Sequence, residues 1–181
     1  MNDRFLKDCQ QWSGRKKVGS IWILKHWILF PAFKIIAIKR MAEDAKTPLW
    51  RNWLRYRMLR MSNKYMISLP IEIAVGGGIM FPHGGPIVIN SYAKLGEYVI
   101  IHPNVLIGGN EGQGAPSIGS RGFIGNGAKI IGDIKVEDDV FIAPGSVVVK
   151  NIPTGSVVVG NPSRVISQRG AEYVSKYLHW K

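Results

Sequence analysis

The sequence predicts a mainly β chain: a solenoid of short parallel strands set between an N-terminal helical region and a C-terminal helix. Three observations predict it. Large apolar residues recur every six positions, at Val75, Phe81, Ile87, Ala93, Val99 and Val105, then at Ile118, Ile124, Ile130, Val136, Ile142 and Val148, with Ala93 the one small member. Such a beat fits neither the roughly 3.6-residue period of a helix nor the simple alternation of a strand; stacked turns bury a continuous column of side chains that one short strand cannot bury alone. Small residues follow many starters four places on (Gly85, Ser91, Gly109, Gly122, Ala128, Ser146), where the chain bends sharply and bulk is unwelcome. The flanking segments lack the beat and carry helical patterns instead.

Three regions follow, residues 1–67, 68–163 and 164–181. In the first, the apolar run Ile21–Ile38 is interrupted by Lys25, His26, Pro31 and Lys34, so it reads as helices broken near Pro31 and not as a membrane span, which needs about 20 mostly apolar residues. After the turn-prone Glu43–Pro48, a helix is expected over about Leu49–Met66, with Trp50, Trp53, Leu54, Met58 and Met61 near helical spacing and Arg51, Arg55, Arg60 and Lys64 between them.

Charge is unevenly spread. Residues 1–70 hold 15 Lys and Arg against 4 Asp and Glu, whereas residues 71–181 hold 9 against 8. A basic, Trp-rich helical surface has two readings. Its apolar faces pack against the solenoid or another subunit, or they lie in the headgroup layer of an anionic membrane. No nucleic-acid-binding module accompanies the charge, so nucleic acid is not an expected partner. The solitary cysteine, Cys9, cannot form an internal disulfide, and Met1–Gln11 lacks the uninterrupted apolar core of a secretory leader. The expectation is a cytoplasmic protein, peripheral at the inner membrane face if the helices bind lipid.

Within residues 68–163 the beat slips. The interval from Val105 to Ile118 is more than double the usual step, which predicts a Gly-containing loop at 107–117 thrown out from the wall. Pro153–Gly155 is a turn, Val157–Val159 one further strand, and Asn161–Pro162 the end of the solenoid. Residues 170–180 have Tyr173, Val174, Tyr177 and Leu178 on one helical side, suited to capping the open end or lying along the wall.

The repeats Ile124-Gly-Asn-Gly-Ala-Lys and Ile142-Ala-Pro-Gly-Ser-Val, with Val157-Val-Val-Gly-Asn-Pro-Ser-Arg-Val-Ile after them, resemble the hexapeptide-repeat acyltransferases, and within them the serine acetyltransferases and the related acetyltransferases of bacterial polysaccharide clusters. The resemblance implies a left-handed β-helix, against the usual right-handed crossover rule, a homotrimer with active sites between subunits, and acetyl-coenzyme A as co-substrate without a metal.

Acyl transfer to a hydroxyl needs a base, and histidine titrates near neutrality. Of His26, His83, His102 and His179, only His83 and His102 fall on the repeats. Their hexads, those of Phe81 and Val99, are three apart, and three hexads make one coil in the family, so both are expected on one face of adjacent coils. The segment Gly78–Asn90 resembles the stretch of serine acetyltransferases that holds the catalytic histidine, which implies that His83 is the general base, with His102 as an assisting group or a surface residue. In that family Asp precedes the histidine, a second Asp stands further upstream, and a second histidine precedes the proline matching Pro116; here those places hold Pro82, Ser68 and Ala115. Glu72 is the nearest acidic candidate to orient His83. The missing carboxylates point away from serine and toward a neutral saccharide hydroxyl, on a bacterial surface polysaccharide or its lipid-linked precursor. Serine O-acetylation in cysteine biosynthesis is the alternative, and a non-catalytic β-helix scaffold another. For the donor, the resemblance implicates the late-coil residues Asn126, Gly127, Ala143 and Pro144, with Lys150 and Arg164 as cations for the nucleotide phosphates; the small residues also suit tight corners whether or not a ligand binds.

Overall fold

The computed structural model describes residues 2–109 and 114–179. Four helices open the chain: α1 (Asp3–Ser13), α2 (Ser20–Leu29), α3 (Pro31–Glu43) and α4 (Pro48–Tyr65). Local chemistry sets their ends. The Asn2 side chain accepts the Arg4 amide at the start of α1, and Gly14 ends that helix at φ 67°, a left-handed conformation cheap only for glycine. Thr47 accepts the Trp50 amide ahead of Pro48 at the start of α4. Pro31, lacking an N–H, starts α3 and bends it 115° from α2. The expected break at Pro31 and the helix after Pro48 are thus present, while α1 falls within the helical region expected over residues 1–67 without being distinguished there.

Among the described residues the solenoid follows as fourteen short strands: β1 (Ile67–Ser68), β2 (Ala74–Val75), β3 (Ile87–Ile89), β4 (Lys94–Leu95), β5 (Ile100–Ile101), β6 (Val105–Gly108), β7 (Ser117–Ile118), β8 (Phe123–Ile124), β9 (Lys129–Ile131), β10 (Lys135–Val136), β11 (Phe141–Ile142), β12 (Val147–Val148), β13 (Val157–Val159) and β14 (Arg164–Ser167). They form three walls, ordered β1-β3-β6-β9-β12, β2-β4-β7-β10 and β5-β8-β11-β13-β14. Pairing is parallel except between β13 and β14, and the coils wind left-handed. All twelve predicted starters are buried.

The register corrects the beat. The columns are Val75, Leu95, Ile118 and Val136 on the β2 wall; Ile101, Ile124, Ile142 and Val158 on the β5 wall; and Ile89, Ile107, Ile130 and Val148 on the β1 wall. In the second coil the aligned residues therefore stand two places after Ile87, Ala93, Val99 and Val105. Both sets are buried because residues two apart on a strand face the same side. The excess before Ile118 splits accordingly: two residues are inserted between Phe81 and Ile89, in the turn that holds His83, and five between Ile107 and Ile118. Residues 110–113 of the expected 107–117 loop lie outside the described residues.

Helices close the first coil. Its backbone has no preceding coil to pair with, and unpaired buried polar groups are costly. Two buried cations of α3 satisfy them. Lys39 Nζ donates to the carbonyls of Ile71 (2.8 Å) and Ile73 (2.9 Å), and Arg40 donates to those of Val75 (2.9 Å) and Gly76 (2.5 Å). Asp8 of α1, fully buried, accepts from Arg40 Nε at 2.8 Å and from the amides of Gly78 and Ile79 at 2.7 and 3.0 Å. Burial pushes the Asp8 carboxyl up against the opposing pull of Arg40 and those two amides, and it pushes Lys39 down against Glu43.

At the other end β14 folds back on β13, and α5 (Gly170–Ser175) lies against the outer side of the third wall, where Val174 is buried and Tyr173 and Tyr177 meet Phe141 and Phe123. The C-terminal helix thus follows the wall and stops at Ser175; Trp180 and Lys181 lie outside the described residues. Cys9 is buried in α1, and burial, with Asp8 beside it, pushes its thiol up to about 12. A maleimide or iodoacetamide at pH 8 is expected to label it only after unfolding, read by mass spectrometry across a denaturant series.

Candidate active site

His83 sits at the corner where the third wall, headed by the Met80–Ile100 bridge, turns into the β1-β3 wall. The two inserted residues widen this corner. Gly85 adopts φ 137°, and a Cβ there would stand 3.2 Å from Pro103 on the coil above, so the turn requires glycine. Nothing lies within 4 Å of a Cβ built on Gly84, which leaves the approach to His83 open on that side. His83 itself is exposed.

His102, on the next coil, has its ring centroid 5.8 Å from that of His83. It is half-buried against Phe123 at 4.8 Å, and Phe123 stacks on Phe141 at 4.6 Å. Burial, and secondarily the neighbouring His83, pushes His102 below the usual imidazole range, which favours its neutral form. The expected adjacency of the two histidines is present, although the coil that separates them, from Met80 to its partner Ile100, is longer than three hexads by the two inserted positions.

The same corner recurs on each coil and stacks. The Asn104 amide donates to the Pro86 carbonyl, the Gly127 amide to Pro103 at 3.0 Å, and the Gly145 amide to Asn126 at 2.8 Å. His83, His102, Asn126–Gly127 and Ala143–Pro144 therefore stand on one edge of the prism, a coil apart at about 4.8 Å each. Gly127 and Gly145, at φ 72° and 71°, need glycine for the corner itself, and a Cβ on Gly125 would meet Pro144 at 2.5 Å. Smallness here has a packing cause, and its result is a ridge of accessible backbone running up from His83. Arg164 pairs with Val159 on the last coil, whose Gly160 carbonyl accepts from Val147 at 2.9 Å, so it stands at the far end of this ridge. Lys150 does not: it follows the far end of β12, at the next edge, because a step of a few residues carries the chain to another wall.

Glu72 is placed elsewhere. Its carboxylate is held by Arg55 of α4, an ion pair half-exposed on both sides, and no hydrogen bond joins it to His83. Among the described residues no carboxylate bonds the His83 ring. Sequence nearness suggested Glu72; the stronger claim of a guanidinium on the preceding helix was not visible in it.

Two residues of α1 reach the strand that leads to His83, and no sequence signal marked them. Asp8 holds the amides of Gly78 and Ile79, and Trp12 Nε1 donates to the Ile79 carbonyl at 3.1 Å. On the helical side of the His83 turn lies a cavity of about 330 Å³ whose lining includes Trp12, Phe30, Tyr65, Phe81, Pro82 and Gly84. Its walls are largely apolar, with Lys64 as the cation.

No protein-family model matches the chain. It is 37% identical over 146 residues to the serine acetyltransferase of Helicobacter pylori (strain 26695), covering 78% of this chain and 84% of that protein. It is 30% identical over 155 residues to the serine acetyltransferase of Synechococcus elongatus, covering 79% of this chain but only 60% of that longer protein, under two thirds of its length. Among solved structures, the serine acetyltransferase of Brucella abortus in complex with coenzyme A superposes with a TM-score of 0.76 at 28% identity, over 90% of this chain and 66% of that one.

Proposed function

Because this chain belongs to the serine acetyltransferase family, we propose that it moves an acetyl group from acetyl-coenzyme A to a hydroxyl, with His83 as general base. The observation that carries the proposal is the shared edge: an exposed imidazole at the foot of a backbone ridge that can receive an extended thioester. In this reading His83 takes the acceptor's proton as its oxygen forms a bond to the thioester carbonyl carbon. The tetrahedral oxyanion then collapses, the carbon–sulfur bond breaks, and the departing thiolate takes the proton back from His83. Burial favours the neutral form of His102 beside it. A trimer with its clefts between subunits would supply the second wall that the ridge lacks in one chain.

Serine is the acceptor that the relatives favour. A saccharide hydroxyl is a second reading, favoured by one observation: among the described residues no carboxylate stands at the His83 corner to meet a serine ammonium, and Pro82 occupies the position before the base. Polysaccharide specificity finds no support among the relatives, so it rests on that corner alone.

The purified chain, given acetyl-coenzyme A with either L-serine or a panel of neutral sugars, separates these by the rate of free thiol release. Faster turnover with serine supports the family reading, and faster turnover with a sugar supports the second. Release with neither would sink the transferase proposal and leave a scaffold.

A further inference from the structure

We propose that the N-terminal helices dock on an anionic membrane surface through the outward side of α2, with the cations of the flanking segments as charge contacts. Helix α2 has no buried residue. Its inner side rests on α3, with Trp22 and His26 edge-on to Phe33 at 5.6 and 5.9 Å. Its outer side presents Ile21, Leu24 and Ile28, exposed at 86, 60 and 63%, in a stripe at three- and four-residue spacing. Leu29 and Phe30 continue that stripe to the Pro31 elbow.

The neighbouring sequence is strongly basic. Residues 15–34 and 46–64 contain eleven Lys and Arg and no Asp or Glu. On α4, Trp50 and Trp53 are exposed and stacked at 4.7 Å, with the Arg57 guanidinium 5.4 Å from the Trp53 ring. Exposed aliphatics and tryptophans together with an excess of cations are the combination that lies within an anionic headgroup layer.

A span is the wrong geometry. No single helix among the described residues is long and apolar enough to cross a bilayer, and α3, the other half of the bent pair, is buried within the protein. A second copy docked two-fold on this face is also disfavoured as the occupant. A two-fold contact would bring the same cation-rich patch against itself, whereas lipid phosphates neutralise it. Docking this way has a consequence for placement, since Phe30 lines the cavity shared with Pro82, Gly84 and Gly85, and the turn carrying His83 would stand beside the lipid surface. The inference does not depend on which acceptor His83 serves.

The test is co-sedimentation of the full chain with phosphatidylglycerol/phosphatidylcholine vesicles and with phosphatidylcholine alone. Binding to the anionic vesicles at low salt, weakened by high salt, is expected. The variant Ile21→Asp/Leu24→Asp/Ile28→Asp, altered only at exposed positions, should lose at least about tenfold in partition, as should Lys17→Glu/Lys25→Glu, which keeps the apolar stripe. Absence of binding to anionic vesicles overturns the proposal, and so does full binding by the triple variant. So does a drop in assembly mass of the triple variant by light scattering without any vesicle binding in the parent, which would assign the face to self-association.

Discussion

Replacing His83 with alanine is expected to slow acetyl transfer by about 10²- to 10⁴-fold, the range that a positioned general base contributes. The melting midpoint should move by no more than about 1–2 °C, because the ring is exposed and no described residue hydrogen-bonds it, and exposed substitutions stay within about 0.5 kcal/mol. The two measurements belong together: thiol release reads the chemistry and calorimetry reads the fold. A variant that keeps its activity removes His83 from the mechanism. One that loses activity together with several degrees of stability makes His83 a prop of the corner instead.

The second large effect is expected far from the imidazole. Asp8→Ala leaves the Arg40 guanidinium without its fully buried partner, with Glu43 at 3.1 Å still beside it, and leaves the Gly78 and Ile79 amides without an acceptor. Removing one partner of a buried ion pair costs about 3–5 kcal/mol, which in a chain of this length lowers the midpoint by roughly 10 °C. The loss should exceed that of Arg4→Ala, whose pair with Glu43 is half in solvent and worth well under about 1 kcal/mol. Equal midpoints for the two variants would show that the helices do not lock the first coil through Asp8.

Much of the prism was legible in the sequence because its signal is local and repeated. Ile118 to Val148 keep a strict six-residue beat, and Thr47-Pro48 marks a helix start within a few residues. The insertion at His83 was hidden by degeneracy: Ile87 and Ile89, like Val105 and Ile107, are both aliphatic and both buried, so either register satisfies the pattern until strand pairing decides. Asp8 and Arg40 lie far apart in the chain with no periodicity linking them, so an ion pair between two helices is a fact of tertiary structure only. Glu72 failed for the same reason, claimed by a helix that sequence order places before it. His83 was singled out as the candidate base through family likeness at Gly78–Asn90; its proximity to His102, which the structure shows, came through coil arithmetic that missed the two inserted positions yet placed both on one edge.

The stacked corner has a metric consequence. From the coil of His83 to that of Pro144 there are three steps of about 4.8 Å, so the separation is about 14 Å and is fixed by the number of turns, not by any side chain. If the donor lies along it as proposed, the edge is a ruler for an elongated molecule, its graduations cut by backbone pairing. Deleting one whole turn of three hexads would leave every remaining corner well formed and still shorten the scale by one division, parting the thioester end from the distal anchor it was measured against.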